Sequence, residues 1–385
     1  MRSGISYIAH RHAKVNNKYM KFYNPEDDTT YIIYLDANDL YGWAMSKPLP
    51  YRNFKWVENK PKEIEDWLLY INPKCNGIGK SYEVDLEHPS VLHHLHNDYP
   101  CAAEKLRVRD DMLSPYCKKI KKDDKISSGN VQKLIPTLHD KEKYVLHEED
   151  LKLYLSLGLR LKRVYRVLQF NERPWLKPYI DFNTEKRENA KNSFENDFFK
   201  LMNKSIFGKK TMENIRKRCN VYLETDPDHF LRQTAKPTYV GCKIFHENLV
   251  AVNMKKQRLL LDKSSYVGMC ILDLSKVLMY DFHYNFIKKN YGEKAKLLFT
   301  DTDSLCYVIT TDDVYEDLFY IYVKRNLDQI VKLYDDDNED SNMDLFDNSD
   351  YHGSSKFFFD GNKKVIGKFK DEAAGKPIEF VGLKR

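Results

Sequence analysis

Lys296-Leu-Leu-Phe-Thr-Asp-Thr-Asp-Ser-Leu-Cys-Tyr-Val-Ile309 is the stretch whose reading decides the fold. Two short runs, Lys296 to Phe299 and Leu305 to Ile309, have the length and the apolar content of buried strands, and Thr300-Asp-Thr-Asp-Ser304 joins them. A buried strand does not carry aspartates unless they are paired, capped or bound to metal, because a carboxylate removed from water is costly. Side chains two apart on an extended chain point the same way, so Asp301 and Asp303 are expected to share a face. Taken alone, Asp-Thr-Asp-Ser is also a good hairpin turn. A third carboxylate shifts the balance: Tyr31-Ile-Ile-Tyr-Leu35 reads as another buried strand, and it ends at Asp36. Three carboxylates with no obvious Lys or Arg beside them fit Mg²⁺, which prefers a few carboxylates plus substrate phosphates over an all-protein cage.

Working outward, Ile271 to Lys289 reads as a helix, with Ile271, Leu274, Leu278, Phe282 and Phe286 on one face. A long helix is expected from Phe182 to about Phe207, with Thr184 as its N-cap and Gly208 after it. Shorter helices are expected at Ile64 to Leu69, Glu148 to Leu157 and Val314 to Leu333, and strands at Tyr82 to Leu86 and Leu161 to Phe170. Lys356 to Val381 reads as a β-hairpin turning at Asp360-Gly361. Helices mixed with non-adjacent strands, and no internal repeat, indicate an α+β fold.

The 385 residues carry 63 Lys+Arg against 57 Asp+Glu, a net charge of +6 that selects no partner by itself. Its distribution says more. Lys186 to Arg218 holds ten Lys/Arg against four Asp/Glu, whereas Asp335 to Asp350 holds eight acidic residues and no Lys or Arg. Phosphate neutralisation needs clustered cations, so only the first stretch could be a nucleic-acid surface; a solvated helical face explains it equally well on charge alone. The acidic run reads as an exposed loop. Seven scattered cysteines without a Cys-x-x-Cys pair indicate reduced thiols. No apolar leader opens the chain and no stretch approaches about 18 apolar residues, so a soluble, intracellular protein without membrane partners is expected.

At this point three segments resemble the family B DNA polymerases. Leu35-Asp-Ala-Asn-Asp-Leu-Tyr-Gly42 is similar to their first palm motif, Asp-x-x-x-Leu-Tyr-Pro. Lys200-Leu-Met-Asn-Lys-Ser-Ile-Phe-Gly208 is similar to the fingers motif Lys-x-x-x-Asn-Ser-x-Tyr-Gly, and Phe299-Thr-Asp-Thr-Asp-Ser304 to Tyr-x-Asp-Thr-Asp-Ser. All three stand in the family's order. Trp175 to Thr184 and Thr211 to Arg216 further resemble the protein-primed branch, as found in Polinton/Maverick-type transposons and related viruses.

The resemblance implies a right-hand polymerase palm, an antiparallel sheet with packed helices, plus helical fingers. It divides the chain into a first palm segment (1–50), an inserted subdomain (51–150), a palm connection (151–185), fingers (186–235), palm with the Asp-Thr-Asp-Ser motif (236–334), an acidic loop (335–352) and a C-terminal palm hairpin (353–385). The exonuclease domain and thumb of the family are expected to be missing, since the first palm motif comes early and the chain stops near Glu379 to Arg385, before the Lys-x-Tyr motif. By the same resemblance, Asp36 and Asp303 hold two Mg²⁺ ions, with Mn²⁺ as a substitute. Asp301 is the supporting carboxylate and the Ala37 carbonyl a backbone ligand. Lys200 contacts the triphosphate of the incoming dNTP, while Leu40, Tyr41, Lys204 and Phe207 complete the nucleotide site. There Tyr41 packs under the sugar against a ribose 2′-hydroxyl, and Phe207 replaces the usual Tyr. Lys204 stands where many members carry Asn.

The activity implied is DNA-directed DNA synthesis on a template-primer, with a terminal protein as a further partner if priming uses a protein hydroxyl. The alternative is an inactive, mobile-element-derived remnant that only binds nucleic acid. A reverse transcriptase is disfavoured, because those palms carry Tyr-x-Asp-Asp. Asp85-Leu-Glu87 imitates an exonuclease Asp-x-Glu but follows the first palm motif instead of preceding it.

Overall fold

The computed structural model describes residues 2–58, 61–71, 77–123, 132–212, 218–259, 262–318 and 345–382. Its centre is a six-stranded sheet in the order Ser6–Ile8, Ala295–Asp301, Ser304–Thr310, Thr30–Ala37, Phe369–Asp371, Phe346–Asp347. All neighbours are antiparallel except the last pair. The register follows from the side-chain period of two. Tyr31, Ile33 and Leu35 pair with Ile309, Tyr307 and Leu305 and turn into the main core, while Ile32 turns to the opposite face with Ala13, Val15, Leu298 and Cys306. Both faces are therefore covered, which is why this strand is apolar almost throughout instead of alternating.

Helix Ser265–Asp281 runs on through a π-helical segment, Phe282–Lys288. It supplies the main cover: Phe282 stacks on Phe369 with centroids 3.7 Å apart, and the Tyr307 hydroxyl lies 2.9 Å from His283 Nδ1. The helix begins two turns before the Ile271 expected from periodicity, because Val267 and Cys270 are buried against a second cluster containing Ala44, Met45, Leu49 and Ile180.

A second antiparallel sheet has the order Leu49–Trp56, Arg160–Arg173, Ile78–Glu87, Lys141–His147. Its Tyr82, Val84, Leu86, Leu146 and Val167 join the main core. Strand Arg160–Arg173 is interior to this sheet, so the sheet crosses the 150/151 division drawn from sequence. Likewise the small sheet of Cys219–Glu224, Leu249–Lys255 and Tyr239–His246 crosses the 235/236 division.

Three local expectations need correction. The single helix from Phe182 to Phe207 is two helices, Lys177–Glu188 and Ser193–Ser205. Asn192 caps the second by accepting from Glu195 N, and Glu195 accepts in return from Lys191 N, a reciprocal arrangement that starts a new helix. Thr184 is no cap; its hydroxyl donates to the Ile180 carbonyl within the first helix. Second, Lys356 to Val381 is no hairpin. Phe369–Asp371 pairs with Thr30–Ala37, and Phe380–Gly382 pairs with His12–Lys14, so each short strand finds a distant partner. Third, the described end of the acidic run is not an exposed loop. Asp347 is buried because its carboxylate accepts from Asn38 Nδ2 (2.7 Å), Lys364 N (2.8 Å) and Ser349 N (3.1 Å). The remainder of that run, the expected helix beyond Leu318 and most of Thr211 to Arg216 lie outside the described residues. Among the described residues, no helix is long and apolar enough to cross a membrane, and the cysteines are free.

Candidate active site

The loop Asp301-Thr-Asp-Ser304 closes the two central strands with Asp301 and Ser304 as the last pair. Thr302 sits in the left-handed region at φ 64°, a conformation that costs a β-branched residue on the order of 1–3 kcal/mol. The neighbours hold it there: Thr302 N donates to the Ile5 carbonyl (2.9 Å), and Ala37 N donates to the Asp303 carbonyl (2.7 Å). Gly4 makes the close approach possible, since a Cβ there would fall 2.4 Å from Thr302 Cγ2. The N-terminal strand Ser6–Ile8 thus straps the loop, although the sequence reading began the sheet at Tyr31.

Thr302 separates the two aspartates, and the Asp301 charge still acts on Asp303, helping to raise its carboxyl. Asp303 and Asp36 line one cavity of about 600 Å³, whereas Asp301 is not among the residues lining it and accepts from the Ser6 hydroxyl. Asp36 is the Cα partner of Ser304, one residue beyond Asp303, so two carboxylates far apart in sequence meet through strand pairing alone.

The cavity has two chemically opposed walls. Asp36 at the end of strand Thr30–Ala37 and Asp303 in the loop between the central strands form one, with Glu372 and Lys370 from the neighbouring strand and just past it; Lys370 is the Cα partner of Asp36. Lys200, Lys204 and Phe207, together with Arg187 from the preceding helix, form the other. Leu40, Tyr41, Ala37, Asn38 and Asp39 line the floor between them. Tyr41 and Phe207 stack on each other, centroids 4.6 Å apart at 21°. Every residue singled out from sequence lines this cavity except Asp301. Arg187, Asp39, Lys370 and Glu372 were missed; the clustering of cations around Lys186-Arg187 was the available signal for the first, Asp39 stands inside the quoted segment Leu35 to Gly42, and the other two carry no motif of their own.

Burial raises the Asp36 carboxyl to about 7, helped by the like charges of Asp303 and Glu372 and opposed by Lys370 and Lys200. Asp303 is also raised, chiefly by burial, with its backbone hydrogen bond and Lys204 pulling the other way. Two half-buried carboxylates, Asp36 pushed up by Asp303 and Glu372 and Asp303 by Asp301, are short of positive charge, which is the electrostatic condition a divalent cation relieves. Among the described residues no three His, Cys, Asp or Glu side chains are grouped as a closed metal cage. Mg²⁺ fits a pair of carboxylates completed by phosphate oxygens and water, so the donor set present agrees with it. The Asp85-Glu87 decoy is structural: Asp85 accepts from Lys143 N and the Tyr165 hydroxyl, and Glu87 pairs with Lys162 at 2.6 Å, outside the cavity.

The model of the family DNA polymerase type B, organellar and viral, matches residues 19–289, and the chain belongs to that family. Among solved structures it is similar to Phi29 DNA polymerase in an orthorhombic crystal form, at 14% identity over 98% of this chain and 46% of that one, with a TM-score of 0.49. It is also similar to Phi29 DNA polymerase complexed with primer-template DNA, at 15% identity over 82% of this chain and 43% of that one, with a TM-score of 0.40. The chain thus spans less than half the length of either structure. No curated protein sequence matches it.

Proposed function

We propose that this chain carries the palm and fingers of a DNA-directed DNA polymerase and extends a primer by template-directed deoxynucleotidyl transfer. The observation that carries the reading is the meeting of Asp36 and Asp303 in one cavity, opposite Lys200 and Lys204. Family membership supports it independently.

Asp36 and Asp303 would hold the Mg²⁺ ions (or Mn²⁺ in their place), with the Ala37 carbonyl as a further ligand. Bound metal there would supply Lewis acidity and lower the charge repulsion between primer hydroxyl and triphosphate. The chain's own residues do the rest by positioning, which is most of what phosphoryl transfer requires. Lys200 and Arg187 neutralise the triphosphate. Lys204, whose charge with that of Lys200 acts on the Asp303 carboxyl, offsets negative charge where substrate and carboxylates meet. Tyr41, stacked on Phe207, would pack under the sugar and exclude a 2′-hydroxyl. Asp301, tied to Ser6, supports the loop and its charge from outside the cavity. Priming by a terminal protein belongs to the same reading through the resemblance of Trp175 to Thr184 to the protein-primed branch.

The test is primer extension with Mg²⁺ or Mn²⁺ on a DNA template-primer, comparing wild type with Asp303→Asn and Asp36→Asn. Templated incorporation that falls by about a hundredfold to a thousandfold or more in each variant is expected, the loss typical of removing one charge-stabilising group from a catalytic site. Folded, DNA-binding wild-type protein with no incorporation under either metal would reject the reading in favour of a binding-only remnant.

A further inference from the structure

The helix that carries Lys200 and Lys204 is seated in an unusual way. Of the thirteen residues of Ser193–Ser205, Asn203 is the one that is buried. The apolar stripe Phe194, Phe198 and Leu201, which would ordinarily anchor such a helix, is exposed. Asn203 instead donates from Nδ2 to Asp39 Oδ2 at 3.1 Å, across 164 residues of sequence.

Asp39 is shaped for this contact at the expense of its local one. It occupies the N-cap position of helix Leu40–Met45, where an aspartate normally accepts from the helix's own first amides. Here it makes no such side-chain bond and stands in the left-handed region at φ 42°, ψ 57°. Gly42 leaves the space its carboxylate fills, for a Cβ at that position would lie 2.5 Å from Asp39 Oδ2. The Asn203 amide is equally committed. Turning it over would set its oxygen against the carboxylate, and as it stands its buried Oδ1 has no hydrogen-bond partner among the described residues. A buried polar group kept at that cost, on a helix with no other buried residue, marks a contact selected for position over stability.

We propose that Asp39 and Asn203 are positioning residues: their hydrogen bond is the latch that sets the cationic face of helix Ser193–Ser205 over Asp36 and Asp303. The inference rests on the polymerase reading for its consequence, nucleotide capture, but not for its geometry. Neither residue transfers a proton or binds phosphate; they act through Lys200 and Lys204. Beyond Asn203 the helix is held by half-buried Phe199 and Met202, the Arg187–Asn196 hydrogen bond and the packing of Ile206 and Phe207 just past its end, so losing the latch loosens the helix without unfolding the sheets, and weakens capture of the incoming nucleotide more than the chemical step.

The experiment uses the full 385-residue chain and the variants Asn203→Ala, Asp39→Ala and Asp39→Asn, the last retaining an oxygen acceptor in a residue tolerant of left-handed backbone. Asn203→Leu, which keeps the volume, stands in if Asn203→Ala fails to fold. Amide hydrogen exchange is read first, as it needs no turnover. Residues 193–205 should exchange about tenfold faster or more in the Asn203 variants and Asp39→Ala, with Asp39→Asn near wild type and strands 30–37 and 304–310 unchanged. In primer extension, KM for dNTP should rise about tenfold with kcat changed far less, and the double Asp39→Ala/Asn203→Ala variant should be no worse than either single one. Unchanged exchange across 193–205 in both single alanine variants, or fully additive KM effects, would overturn the proposal. If wild type incorporates nothing, the polymerase reading fails and the exchange result alone decides the latch.

Discussion

The two walls of the cavity are built on opposite principles. The carboxylate wall belongs to strands paired on both sides and buried on both faces, with Leu305, Tyr307 and Ile309 fully enclosed. The cationic wall is a helix with one buried residue, a polar one, and three large apolar side chains in solvent. Local stability tracks buried apolar contact, so the first wall shares the global stability of the domain while the second can move at much smaller cost. On the proposed polymerase reading, a site that holds metal ligands still and admits a new nucleotide each cycle benefits from that division. On that reading the fixed part carries the charges that must not shift, and the movable part carries the cations that meet the substrate's phosphates.

The largest effect that sharpens this contrast is on stability. Leu305→Ala, in the enclosed sheet, should cost about 2–5 kcal/mol in denaturant unfolding, whereas Phe198→Ala on the exposed helix stripe should change it by about 0.5 kcal/mol or less. Equal costs for the two would break the comparison. Next comes Lys200→Ala. It should raise KM for dNTP by roughly 10- to 100-fold, about 1.4–2.8 kcal/mol, with primer-template affinity little changed, as measured by single-nucleotide incorporation and equilibrium DNA binding. A loss of DNA affinity matching the loss in KM would move the lysine from the nucleotide to the duplex.

The smallest effect is the dependence of metal stabilisation on pH. The folded-state carboxyl of Asp36 titrates near 7, above its ordinary value of 3.8. A raised carboxyl makes its full contribution to stability below the unfolded value and loses it as pH climbs through about 7, where Asp36 becomes an under-compensated anion facing Asp303 and Glu372. Mg²⁺ should therefore raise Tm more at pH 8 than at pH 5.5 in wild type, and the difference between the two should shrink in Asp36→Asn. A metal effect independent of pH, or one that survives the substitution, would place the ion elsewhere.

Much of the carboxylate wall was legible in the sequence, and for physical reasons. Tyr31 to Leu35, Lys296 to Phe299 and Leu305 to Ile309 are short, apolar and β-branched or aromatic because both faces of the sheet are covered, and carboxylates at the ends of such strands stand out. Other features depend on contacts that no local pattern records. The strap by Gly4 to Ser6 over Thr302, the pairing of Phe369–Asp371 beside Asp36, and the burial of Asp347 each join segments hundreds of residues apart. The left-handed turn at Thr302 is likewise a feature that periodicity cannot register. Helix breaking at residues 189–192 hinged on Asn192 and Glu195, a capping pair present in the sequence but outweighed by the continuous helical pattern around it.

The central claim, that Asp36 and Asp303 together form a divalent-ion site facing the cationic helix, is tested most directly by Mn²⁺ titration followed by electron paramagnetic resonance, with and without dNTP. Wild type should bind Mn²⁺ and bind it more tightly when dNTP is present; Asp36→Asn and Asp303→Asn should each lose most of that affinity, while Lys200→Ala should lose only the enhancement by dNTP. Mn²⁺ binding that is unchanged in both aspartate variants would contradict the account.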